Sequence, residues 1–170
     1  MSMLERAVEV VAPWQTVFEN STLLSTSVIA LHLTALLVGG GLAIAADRST
    51  LRVGNTAPDD RQRQLAELGA VHRPVLTALT VLFVSGVALT AADLETYIVS
   101  PVYWIKFGFI VLLLVNGVVM TRTEGALRRD SALAPTVAQS LWRRMRASAW
   151  TSIALWIATL VLGTALVNMA

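Results

Sequence analysis

Apolar positions fall into four long runs that polar segments separate. The runs cover residues 23–46, 74–92, 102–121 and 147–169. At about 1.5 Å of rise per residue, each run can cross a hydrocarbon core of roughly 30 Å as a helix. Lys106 is the only charged residue inside them, and a lysine stem can carry its ammonium toward the headgroups. The pattern predicts an all-α, single-domain integral membrane bundle of four transmembrane helices.

A further helical pattern precedes the first run. Apolar residues recur there at three- and four-residue spacing: Leu4, Val8, Val11, Trp14 and Phe18. Polar residues occupy the opposite side: Glu5, Glu9, Gln15 and Glu19. The spacing predicts an amphipathic helix over about residues 3–18 that lies in the outer membrane interface and bends at Pro13.

Loop charges predict the orientation of the bundle. Two segments, after the first and the third run, hold most of the arginines: Arg48, Arg52, Arg61, Arg63 and Arg73, then Arg122, Arg128, Arg129, Arg143, Arg144 and Arg146. The positive-inside rule places both segments in the cytoplasm. With an even number of spans, the N- and C-termini are then both outside.

Composition excludes several classes of protein. Apolar residues make up 55% of the 170 residues and charged residues 14%, against about 25% charged in an average soluble domain. The basic residues sit in loops rather than on one face of a soluble fold, so no nucleic-acid partner is expected. The chain has no cysteine, which excludes disulfides and iron–sulfur clusters. Protease, nucleotide-binding and paired-carboxylate motifs are missing, so an enzyme or a pump is disfavoured.

Two polar side chains stand out within the predicted spans, His32 and Asn116. Polar groups are costly in hydrocarbon, which makes both residues candidates for a cofactor-binding site. His32 suits an axial ligand of haem b iron, a metal ligand, a proton relay or a hydrogen-bonding partner of a quinone. The competing interpretation is a neutral histidine that hydrogen-bonds a hydroxyl or carbonyl of a neighbouring helix.

The second histidine, His72, lies at a different depth. The second span runs back outward, so the position level with His32 is near Phe83. His72 lies about eleven residues, or roughly 16 Å, further inward. Both histidines therefore cannot ligate one iron within a monomer. A homodimer with a twofold axis along the membrane normal would bring two His32 side chains to one depth, and a site of His72 with Met120 is a further alternative.

Charged residues at the inner ends of the spans form the second predicted site. Asp47 and Arg48 are expected to end the first helix, His72 and Arg73 to begin the second, and Arg122 to leave the third. Such a cytoplasmic polar cluster suits a lipid phosphate, a quinone head or a partner subunit. Alternatively, Asp47 pairs with an arginine and the other residues contact anionic headgroups.

Small residues mark a packing face on the first helix. Ala35, Gly39 and Ala43 recur at four-residue spacing. This pattern favours close approach of a neighbouring helix. Clearance for a cofactor is the alternative interpretation.

Several motifs together resemble a family. They are the N-terminal amphipathic helix, the run HLTALLVGG from His32 to Gly40, the pair Asp47-Arg48, Gly86 in the second span, the run SPVYWIKF from Ser100 to Phe107, and Asn116. Over residues 4–122 the chain resembles an uncharacterised family of small bacterial four-helix integral membrane proteins. It is also distantly similar to copper-resistance D type and b-type cytochrome membrane bundles. The resemblance implies a bacterial inner membrane location and a redox or metal-linked role, with His32 as the ligand position.

The sequence thus leaves three functions open. The leading hypothesis is a non-catalytic integral membrane subunit or small-ligand-binding protein in a respiratory or electron-transfer assembly. Its partners would be the lipid bilayer and either other membrane subunits or a second copy. The alternative is an electron-transfer membrane protein that binds haem b or a quinone through His32. A small transporter or channel is the third, although the spans offer no obvious polar path.

Overall fold

A computed structural model describes residues 3–53, 58–129 and 135–169 of the protein. Every element within these ranges is a helix: α1 (Met3–Asn20), α2 (Thr22–Val53), α3 (Pro58–Ala92), α4 (Leu94–Val99), α5 (Pro101–Arg129) and α6 (Pro135–Met169). The predicted all-α class is therefore confirmed.

Four of these helices, α2, α3, α5 and α6, are long and apolar enough to cross a membrane. Large apolar side chains cover their surfaces; Leu37 is 76% exposed and Phe83 is 68% exposed. Soluble monomers rarely expose apolar surface on this scale. The arrangement indicates a multi-pass membrane protein.

The four long helices pack most closely in the order α3, α2, α6, α5. Helix α2 packs against both α3 and α6, and α5 packs against α6. Within the described residues, α3 and α5 make few close backbone contacts with each other, although side chains of both contribute to the central core. We call the side of the bundle between α3 and α5 the open side.

The bundle has two chemically different ends. We call the end at which α2 and α5 begin the amino-terminal end, and the other the arginine-rich end. At the latter, the helices run beyond the apolar stretches: α2 continues past Asp47 and Arg48 to Val53, and α5 continues past Arg122 to Arg129. Hydropathy shows only where the apolar sequence stops. The helices continue beyond that point because arginine, alanine and glutamate are good helix formers.

Glycines allow the helices to approach closely at mid-bundle. A Cβ atom on Gly39 would lie 2.8 Å from the Ala78 Cβ, and one on Gly40 would lie 3.2 Å from the Trp156 ring. Trp156 is buried with Leu113 and Leu155 in the central core. The prediction of close helix packing on this face is confirmed.

The arginine-rich end has a core of its own. Leu68, Trp142 and Met145 are buried together there, and Met145 has no exposed surface. At the same end of the bundle, the Ser49 hydroxyl donates to the Gln64 side-chain oxygen at 2.6 Å, and the Gln64 amide donates to the Thr50 hydroxyl at 3.2 Å. These bonds tie α2 to α3 beyond their apolar stretches.

Candidate functional site

A hydrogen-bond chain on α2 and α3 determines the state of His32. The His32 Nδ1 and Ser85 Oγ atoms are 2.8 Å apart, and the Ser85 hydroxyl donates to the Val81 carbonyl at 2.6 Å. A hydroxyl has a single hydrogen, and Ser85 donates it to Val81. In the bond to His32, Ser85 Oγ is therefore the acceptor and Nδ1–H is the donor. The neutral ring therefore carries its proton on Nδ1 and a free lone pair on Nε2.

The His32 ring lies against α3 at Gly86. A Cβ atom on Gly86 would lie 3.5 Å from His32 Cε1, an ordinary contact distance. A small residue there leaves the ring room to reach Ser85. The ring is half-buried, so part of it remains accessible.

After His32 and Ser85, Lys106 is the third polar side chain here, and it connects α5 to α6. Its Nζ atom lies 3.4 Å from the point that a Cβ on Gly163 would occupy. Helix α6 packs against α2, where Gly40 faces Trp156. His32 and residue 164 each lie eight residues further toward the amino-terminal end, so the Lys106 ammonium lies near the level of His32. We call His32, Ser85, Lys106 and Gly163 the His32 site. From the sequence, Lys106 was expected to carry its ammonium toward the headgroups. Its being the only charged residue in the apolar runs was the signal that pointed to a site.

Asn116 belongs to a separate contact. Its amide donates to the Ser148 carbonyl at 3.0 Å, and the Ser148 hydroxyl donates to the Asn116 side-chain oxygen at 2.8 Å. These bonds join α5 to α6. Along α6, Ser148 and Gly163 are separated by roughly 22 Å at about 1.5 Å per residue, so the structure does not bring Asn116 to His32.

The predicted cytoplasmic polar cluster does not gather around Asp47. Asp47 points into the bundle, where it is 3% exposed and lies beside the Ser152 hydroxyl. In the described part of the chain, its Oδ2 atom has no hydrogen-bond partner. The arginines of that cluster instead lie on the surface: Arg48, Arg73 and Arg122.

His72 is engaged at the arginine-rich end. Its Nδ1 donates to the Leu68 carbonyl at 2.9 Å, and its Nε2 lies 3.7 Å from Glu124. Glu124 also pairs with Arg128, whose guanidinium donates to the Leu65 carbonyl. Glu124 was not predicted as a partner of His72, although its four-residue spacing from Arg128 is visible in the sequence.

The two histidines thus lie at different levels of the bundle. Ser85, which contacts His32, and His72 are separated by roughly 20 Å along α3 at about 1.5 Å per residue. No group of three metal-binding side chains occurs in the residues that the structure describes. For haem b, His32 offers one lone pair, and no second histidine or methionine lies at its level among the side chains that the structure describes. The Lys106 charge also opposes a cationic iron. These residues fit a small organic ligand better than haem.

A shallow apolar groove lies elsewhere, between α2 and α3 toward the arginine-rich end. Its volume is about 370 Å³, and Leu42, Ala45, Leu68 and Val71 contribute to its lining. His32 is not among the lining residues. The groove and the His32 site are therefore separate features.

Comparison with known proteins gives no match to this chain, whether among protein-family models, curated proteins or solved structures. Function is therefore inferred from the site itself. Its distinctive feature is one imidazole with a free acceptor nitrogen beside one ammonium, inside an apolar bundle.

Proposed function

We propose that the protein is a non-catalytic integral membrane protein that binds a small lipid-soluble ligand at His32 and serves as a subunit of a larger membrane assembly. The observation that carries the proposal is the hydrogen-bond chain through Ser85. It leaves the His32 Nε2 lone pair without a partner among the described residues. An unsatisfied acceptor in apolar surroundings favours a ligand that donates a hydrogen bond.

The open side gives such a ligand a route from the bilayer. Where α3 and α5 do meet, they meet at the arginine-rich end, through Glu124 and Arg128. At the level of the His32 site, Phe83 of α3 and Phe107 of α5 are 68% and 46% exposed. In this proposal, a ligand dissolved in the lipid reaches the half-buried His32 ring from the open side.

The proposal places the bundle in the bacterial inner membrane with both termini outside. The distribution of arginines supports this orientation. Helix α1 would then lie in the outer interface, and one contact supports its docking there: the Trp14 indole donates to the Ala88 carbonyl of α3 at 2.9 Å. The His32 site falls in the outer half of the bilayer.

Extraction of the purified protein tests whether it carries a ligand. Protein in mild detergent is extracted with organic solvent, and the extract is compared by mass spectrometry with that of His32→Leu. Thr80→Val is the matched control, because Thr80 is exposed on α3 and bonds only back to Leu76. We expect one molecule, near-stoichiometric in wild type and in the control, to be lost from His32→Leu. Identical extracts from all three proteins contradict the proposal.

A haem b electron-transfer protein is the second candidate. Ligand histidines commonly donate Nδ1–H to a neighbouring acceptor while Nε2 binds the metal, and the bond from His32 to Ser85 has this form. The second axial ligand would come from His32 of a second copy. A Soret band that disappears in His32→Ala supports this candidate, and a colourless protein that retains an organic ligand rejects it.

The described residues offer no support for a channel. Gly39 and Gly40 lie against Ala78 and Trp156 in the centre of the bundle. This packing separates His32 from Asp47.

A further inference from the structure

Lys106 extends from α5 to α6. Its Nζ and Cε atoms lie 3.4 and 3.7 Å from the Cβ position of Gly163. Within the described ranges, Lys106 takes part in no hydrogen bond or ion pair. An ammonium in apolar surroundings is costly unless an oxygen accepts from it.

A second unsatisfied group lies one helical turn away. Thr159, which precedes Gly163 by one turn on α6, is 7% exposed. Its hydroxyl has no partner in the part of the chain that the structure describes. Buried hydroxyls in proteins are nearly always hydrogen-bonded. Two neighbouring polar groups on α5 and α6 therefore lack partners at the level where His32 offers a free lone pair.

The three groups restrict the chemistry of the ligand. An oxygen between Lys106 and His32 must accept a hydrogen bond from the ammonium and donate one to Nε2. A hydroxyl does both with one atom, whereas a carbonyl or an ether has no hydrogen to donate. A carboxylate would bring lone pairs against Nε2, and a metal cation would be repelled by Lys106. The ligand must also be lipid-soluble, since the open side faces the bilayer.

A phenolic O–H is more acidic than an aliphatic one, with a pKa of about 10, and is therefore the stronger donor to Nε2. We infer that the His32 site binds a lipid-soluble phenol or hydroquinone, with its hydroxyl held between Lys106 and the Nε2 atom of His32. This inference rests on the function proposed above and adds Lys106 to the site. The arrangement also favours ionisation of the bound hydroxyl. Its O–H bond breaks as an N–H bond forms on Nε2, and the ammonium of Lys106 stabilises the phenolate oxygen.

Binding of a matched pair of probes tests the inference. A hydroquinone with a decyl tail and its dimethyl ether are titrated anaerobically into lipid nanodiscs that contain the protein, and partitioning into empty nanodiscs is subtracted. A charge-assisted hydrogen bond contributes about 1.5–3 kcal/mol, which corresponds to a roughly 10- to 100-fold preference for the hydroquinone. We expect this preference in wild type, in Lys106→Arg and in Thr80→Val, and its loss in Lys106→Met and His32→Leu.

Equal binding of the two probes to the wild type overturns the inference, and so does a preference that persists in Lys106→Met. These results are distinguishable from failure of the proposed function. If the extraction experiment finds a molecule that depends on His32 while the hydroquinone shows no preference, the ligand is of another class and the proposed function stands. If neither experiment detects a ligand, both proposals fail.

A second test uses only the wild-type protein, so its result does not depend on whether the variants fold. A 4-nitrophenol with an alkyl tail reports its own ionisation by absorbance. We expect it to ionise at a pH at least one unit lower in nanodiscs with the protein than in empty nanodiscs. An unchanged or higher ionisation pH overturns the inference.

Discussion

At the scale of single residues, the chemistry of His32 is decided by Ser85. Serine in a helix commonly bonds back to a carbonyl one turn earlier, and Ser85 does so to Val81. This local bond uses the only hydroxyl hydrogen, so the Ser85 oxygen can only accept a hydrogen bond from His32. A side chain of α3 thereby determines which nitrogen of an α2 histidine is free.

Substitution of Ser85 by alanine tests this tautomer assignment. Without the acceptor, His32 Nδ1–H loses its partner, and we expect the ring to become a mixture of both tautomers. The ¹⁵N shifts of labelled histidine in detergent-solubilised protein measure the change. His72 is the internal control, because its Nδ1 donates to the Leu68 carbonyl. Unchanged His32 signals in Ser85→Ala would contradict the assignment.

Tyr97, on α4 outside the long helices, offers a pH-dependent test. Burial raises the pKa of the Tyr97 phenol, and the charge of Asp93 raises this pKa further. The folded state thus favours the neutral phenol; the resulting stability is present below the ordinary tyrosine pKa and is lost as the pH rises past the folded-state value. In Asp93→Asn we expect tyrosinate absorbance to appear at lower pH. Glu95→Gln is the control, and an equal shift in both variants would contradict the role of Asp93.

At the scale of helices, sequence and structure agree on the elements that hydropathy and small residues define. The four long helices and the glycine face at Gly39 follow from composition and spacing alone. Helix ends do not, because α2 and α5 continue through polar residues that are good helix formers. Helix α4 was not predicted, since six residues between Asp93 and Ser100 carry little periodic signal.

Partners of the candidate site residues were harder to predict than the elements. His32 and its depth were visible in the sequence, but Ser85 and Lys106 were not identified as its neighbours. Hydrogen bonds between helices depend on how each helix is rotated about its axis. An apolar run with no polar face does not determine this rotation, so the sequence does not show which side chains face each other. The neighbours of Asp47 were not predicted either: this residue was expected among arginines, but it lies beside Ser152.

The glycine face predicts a contrast between neighbouring positions on α2. A side chain on Gly39 would meet Ala78 at 2.8 Å, whereas nothing lies within 4 Å of the Cβ position of Gly41. Overpacking costs about 1–3 kcal/mol, so Gly39→Leu should lower the midpoint of thermal unfolding in detergent by several degrees. Gly41→Leu should leave it nearly unchanged. Equal midpoints for the two variants would show that α2 and α3 do not pack closely here.

At the scale of the whole molecule, the bundle is joined unequally at its two ends. Helices α3 and α5 meet through His72, Glu124 and Arg128 at the arginine-rich end. Toward the amino-terminal end, where the His32 site lies, no hydrogen bond or ion pair joins them among the described residues. Access to His32 from the open side therefore depends on how α3 and α5 are spaced.

Cross-linking measures this spacing, and the absence of native cysteine makes it simple. We expect a short thiol-reactive cross-linker to join His72→Cys to Glu124→Cys efficiently and Phe83→Cys to Phe107→Cys poorly. The first pair replaces side chains whose Nε2 and Oε2 atoms are 3.7 Å apart, and the second pair replaces side chains that are 68% and 46% exposed. Efficient cross-linking of both pairs would mean that the bundle is closed around His32.

Orientation in the membrane decides which leaflet supplies the ligand. The arginine-rich loops predict that residues 63 and 143 face the cytoplasm and that residue 95 faces outward. Single cysteines at these positions, treated with a membrane-impermeant maleimide, should react at 95 in intact spheroplasts and at 63 and 143 only in inverted vesicles. Because His32 lies near the opposite end from the arginines, this pattern means that the ligand reaches the site from the outer leaflet. The reverse labelling would contradict the orientation and move the site, with its geometry unchanged, to the inner leaflet.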